Sequence, residues 1–68
     1  MESLDEVTKK TAESLVNFLA RIVDRVHRYQ DGAKVIIEIY KNDRHRGSTA
    51  YGEYTVTGDT VTFENWED

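Results

Sequence analysis

Arg44-His45-Arg46 is the densest cluster of chemistry-bearing side chains in the sequence. Guanidiniums flanking an imidazole suit a phosphate or a carboxylate, which Arg holds bidentately. Proton transfer by His45 would also need a nucleophile or an orienting carboxylate. Asp43 alone, in the same polar stretch, supplies weak support for that. The other histidine, His27, lies between Arg25 and Arg28. With no Cys there is no thiolate metal site, and the 2 His cannot build a closed zinc site alone. The sequence contains no Gly-rich phosphate loop, no nucleophile elbow and no His-Glu-x-x-His. These absences point to a non-catalytic chain with no cofactor and no metal.

A second group is aromatic and acidic. Tyr40, Tyr51 and Trp66 lie in β-rich stretches beside Glu38, Glu53 and Glu64. Aromatics with a polar handle are enriched at binding surfaces. Like charges placed opposite each other across a hairpin are unfavourable unless a cation intervenes. A Lys or Arg from a partner would satisfy such a pair.

Three stretches must position these groups. Ser3-Leu4-Asp5-Glu6 reads as a capping box. Apolar residues then recur at Leu4, Val7, Leu15, Phe18, Leu19, Ile22, Val23, Val26 and Tyr29, in steps of three and four. That periodicity predicts one amphipathic helix from about 4 to 30, closed by Gly32 after Asp31. Lys34 to Lys41 is β-branched and reads as a strand, as do Thr49 to Thr57 and Thr60 to Trp66. Gly58-Asp59 is a two-residue hairpin turn. It sets a register with Val56 opposite Val61, Tyr54 opposite Phe63, Glu53 opposite Glu64 and Tyr51 opposite Trp66. The predicted fold class is α+β: a long N-terminal helix packed on a three-stranded antiparallel sheet, in the order α-β-β-β. The domain is expected to span 1–68 without a linker.

Alternation along the strands places Val35, Ile37, Ile39, Ala50, Tyr54, Val56, Val61 and Phe63 under a helix stripe of Leu15, Phe18, Leu19, Ile22 and Val26. Gly52 falls on that face, where it marks either a close approach of the helix or a bulge. The opposite face carries Ile36, Tyr40, Tyr51 and Trp66 beside the glutamates. The predicted helix, roughly 40 Å long, overhangs strands of roughly 25 Å. Leu4 and Val7 on the overhang then need cover. In this layout the stretch Val35–Ile39 is an apolar edge strand, which is sticky unless paired.

Composition bounds the function. A chain of 68 residues buries only about 60% of its unfolded surface, so a partner chain is an expected source of stability. A homodimer is predicted, through Leu4 and Val7 on the helix or Ile36 and Glu38 on the first strand. The net charge of −4 opposes general affinity for nucleic acid. Charges throughout residues 1–30 leave no membrane-spanning segment. The lack of Cys fits a cytoplasmic protein. The α-β-β-β layout and size are similar to those of some small phage-encoded inhibitors, anti-CRISPR proteins among them, with no shared motif. The reading is a regulatory or inhibitory module that binds another protein through Tyr40, Arg44, His45, Arg46, Tyr51 and Trp66. The alternative is a nucleic-acid-binding module using Arg44-His45-Arg46 and the basic residues Arg21, Arg25 and Arg28.

Overall fold

The computed structural model describes residues 4–45 and 47–66, with Asp43 described by its backbone alone. The helix α1 runs Glu6–Leu19. Four strands follow: β1 Arg25–Asp31, β2 Lys34–Asp43, β3 Gly47–Thr57 and β4 Thr60–Asn65. They form one antiparallel sheet in the order β1-β2-β3-β4. The α+β class with an N-terminal helix holds. The single long helix does not, because residues 25–31 form a strand.

Local chemistry explains where the helix begins and ends. Asp5 is the N-cap, and its Oδ1 accepts from the Thr8 N–H at 2.7 Å. The expected cap at Ser3 lies outside the described residues. After Leu19 the backbone tightens, with Arg21 N–H donating to Phe18 O and Ile22 N–H to Leu19 O. Asp24 then completes the exit: its N–H donates to Tyr40 O at 3.2 Å and its carboxylate accepts from Asn42 N–H at 2.8 Å. Short acidic side chains of this kind compete with helical hydrogen bonding. Asp31-Gly32 is a hairpin corner and not a helix cap. Gly32 has φ 64, and a left-handed glycine serves a hairpin turn as readily as a helix end.

Extending the helix to residue 30 would also have left the apolar β2 with a bare edge. In the fold, β1 and β3 flank β2 on both sides. The expected edge strand is therefore central, and Ile36, at 5% exposure, is covered within the chain. The predicted overhang disappears too, since α1 has 14 residues and Leu4 packs against the core.

The core joins Ala12 and Leu19 of the helix to Val35, Ile37, Ile39 and Val56 of the sheet. Leu15, Val16, Val23, Val26 and Tyr54 pack around it. Phe18 and Ile22, expected in this core, stand outside it at 59% and 60% exposure. Thr8 is buried, and its hydroxyl accepts from Gly58 N–H at 2.9 Å. That bond ties the start of the helix to the β3–β4 turn.

The β3–β4 register matches the sequence expectation, from Thr57 opposite Thr60 to Glu53 opposite Glu64. The β2–β3 register carries a bulge: Ile39 faces Gly52, but Tyr40 faces Ala50. Tyr51 is the extra residue. The bulge reverses the expected faces of two side chains. Ala50 joins Tyr40 on the face away from the helix, and Tyr51 packs against the core. Gly52 is a close-approach site, though the neighbour is not the helix: a Cβ there would stand 2.7 Å from the Phe63 ring. Beyond the bulge, residues 41–43 and 47–49 pair with each other past the ends of β1 and β4. They make a two-stranded arm.

Candidate functional site: the open face of the sheet

The helix covers one face of the sheet. On the other face the pairings place His27 beside Glu38, Glu38 beside Glu53 and Glu53 beside Glu64. These residues form one transverse row across all four strands. The adjacent row is Tyr29, Ile36, Thr55 and Thr62. On the opposite side lie Arg25, Tyr40 and Ala50.

Within this surface the Tyr40 hydroxyl donates to Glu38 Oε1 at 3.3 Å. The Arg25 guanidinium lies over the Tyr40 ring, 5.7 Å from its centroid. The rings of His27 and Tyr29 are tilted against each other at 5.6 Å. Desolvation pushes the Tyr29 hydroxyl above the ordinary tyrosine range, and the negative charges of Glu38, Glu53 and Asp31 push it further. The phenol thus registers the negative field of the row. Among the described residues, the ion pairs are Lys9–Glu6 and Lys34–Asp31. Neither reaches the glutamates of the row. The described residues also contain no group of three His, Asp or Glu able to hold a metal ion.

The other predicted contact residues are dispersed. Arg44 and His45 form the exposed tip of the β2–β3 arm. Arg46 lies outside the described residues. The Lys41 ammonium sits 4.7 Å over the Tyr51 ring, which occupies that aromatic face from within the chain. Trp66 follows β4, and its N–H donates to Tyr51 O at 3.1 Å, so the expected Tyr51–Trp66 neighbourhood exists. Tyr51 itself is turned to the helix side and Tyr40 to the open side. The basic residues do not converge: Arg25 is on the open face, Arg28 pairs with Ile37 on the helix-side face, and Arg21 lies in the turn after the helix.

The helical spacing of Ile22, Val23, Val26 and Tyr29 hides His27 and Tyr29 as members of this surface. Alternation was the available signal, since Arg25, His27 and Tyr29 fall at every second residue. No helix among the described residues is long and apolar enough to cross a membrane. Comparison with protein-family models, with curated proteins and with solved structures found no match to this chain.

Proposed function

We propose that the chain is a non-catalytic protein-interaction module whose open sheet face docks a cationic segment of another protein, in a regulatory or inhibitory role. The row Glu38, Glu53, Glu64 carries the reading. Directly opposed like charges weaken a sheet by roughly 0.2–1 kcal/mol per pair. Lys or Arg side chains from a partner would reverse that sign. Tyr29 and Tyr40 border the row and offer ring faces and hydroxyls to the same segment. The face is open, which suits docking better than activation of a nucleophile.

A Lys/Arg-rich peptide labelled for anisotropy tests this. Glu38→Gln with Glu53→Gln and Glu64→Gln should weaken binding at least about tenfold, equivalent to about 1.4 kcal/mol, and flatten its salt dependence. Arg44→Ala should leave binding unchanged. Equal binding by the triple variant would remove the reading. The nucleic-acid alternative predicts the reverse pattern: single-stranded oligonucleotide binding that falls steeply with salt and is lost in Arg44→Ala.

A further inference from the structure

The strand β4 is an edge of the sheet, and every one of its residues is exposed. Thr57 and Thr60 close the two-residue turn and so exchange hydrogen bonds with each other. Alternation then aims the backbone groups of Thr62 and Glu64 at β3, and those of Val61 and Phe63 away from the sheet. The side chains of Val61 and Phe63 are on the helix-side face, since they pair with Val56 and Tyr54. The helix, however, lies over β1, β2 and β3, and none of its Cα atoms comes within 8 Å of a Cα in β4. Val61 and Phe63 are left about half exposed.

The helix flank above that gap is of the same kind. With Thr8, Ala12 and Leu19 facing the sheet, right-handed winding turns Val7, Thr11, Ser14 and Phe18 toward the β4 side. None of these carries a charge, although charged residues make up 32% of the chain. Val7 and Phe18 are both exposed by more than half. An unpaired strand edge and an uncharged, partly apolar helix flank thus border one strip.

We infer that this strip is the contact for a second copy of the same chain, with β4 pairing antiparallel to its own copy about a twofold axis at Thr62. In that register Val61 faces Phe63 of the other copy, and Glu64 faces Thr60. Apolar side chains meet across the axis, and no carboxylate meets another. Two chains of net charge −4 can meet here without like charges in contact, which the open face with its glutamate row does not allow. This surface differs from the edge expected from sequence, because β2 is already paired on both sides. It is also separate from the face proposed to bind a cationic partner. A contact made of one strand and one helix flank belongs to the small interfaces, below about 1,200 Å² in total, which associate weakly and reversibly.

Sedimentation of the full chain across the micromolar range tests the inference. The expected result is a concentration-dependent approach to twice the 7.9 kDa chain mass, insensitive to added salt. Val61→Lys and, separately, Val7→Lys should be monomeric, while Gln30→Lys on the opposite edge should still dimerise. Val7 lies exposed on the helix, so that variant decides the matter if Val61→Lys fails to fold. The natural sequence has no cysteine, so Thr62→Cys supplies a single thiol. Directly opposed non-hydrogen-bonded residues have Cα atoms about 4.5 Å apart, within disulfide reach. Thr62→Cys should therefore cross-link into a covalent dimer on mild oxidation. A monomeric wild type, a dimer that survives Val7→Lys, or dissociation by Gln30→Lys would overturn the proposal.

Discussion

Single residues explain how a chain this small closes its fold. Gly52 sits beneath the Phe63 ring, with ring atoms 2.7 and 2.8 Å from where a Cβ would be. The same ring meets Tyr54 edge-on at 4.6 Å. Gly52→Ala should push Phe63 off that contact and destabilise the fold by about 1 kcal/mol. In a domain of this size that lowers Tm by about 4–8 °C, and Phe63→Leu should recover part of the loss. Thermal melts of both variants check it. Asp5 works through charge. The Thr8 hydroxyl and then the Thr8 N–H donate to its carboxylate and hold its pKa below the usual value of 3.8. A carboxylate depressed in the folded state contributes stability above its unfolded pKa, and that contribution is lost as pH falls through the lower, folded value. Asp5→Asn keeps a capping oxygen but removes the charge. Its acid unfolding below about pH 4 should therefore be less steep than that of the wild type.

At the scale of elements, the decisive event is the end of the helix at Leu19 and the return of the chain as β1. The hairpin that joins β1 to β2 depends on Gly32 at φ 64, a region that costs an L-residue roughly 1–2 kcal/mol. Gly32→Ala should lower stability by about 1 kcal/mol. Amide exchange should quicken first in Val26–Gln30, because β1 is an edge strand held to the sheet by β2 alone. If residues 25–31 were helical, exchange there would instead follow that of Glu6–Leu19. The β2–β3 hairpin behaves differently. Its bulge at Tyr51 turns one aromatic into the core and leaves Tyr40 outside, so two tyrosines of similar setting serve opposite faces.

For the whole molecule, the two faces of the sheet follow different rules. The helix side gathers aliphatic residues, and the open side gathers a histidine, three consecutive glutamates across the strands, and two tyrosines. Glu53 is the middle carboxylate, with Glu38 on one side and Glu64 on the other. Glu53→Gln should therefore stabilise the protein, by about 0.5 kcal/mol, while weakening its hold on a Lys/Arg-rich peptide. Urea titration reads the first effect and anisotropy the second. High salt should raise the stability of the wild type more than that of Glu53→Gln, because screening relieves the same repulsion. On the proposed reading, cations of a partner would offset what the row costs the isolated fold.

By itself, the sequence determined those parts of the protein that depend on neighbours along the chain. Thr57-Gly58-Asp59-Thr60 sets the last hairpin, and its register runs correctly through Glu53 and Glu64 because a two-residue turn leaves no freedom. The aliphatic alternation of Val35, Ile37 and Ile39 set the buried face of β2, and Gly52 announced a crowded spot. The tertiary structure decided what depends on competition between distant groups. Residues 22–30 suit a helix or a strand by spacing alone, and Asp31-Gly32 suits the end of either. The bare apolar edge of β2 and the hydrogen bonds of Asp24 to Asn42 and Tyr40 settle the matter for a strand. Those partners lie 16 and 18 residues further along the chain, beyond any local pattern. The same choice brings His27 next to Glu38 and completes the acidic row.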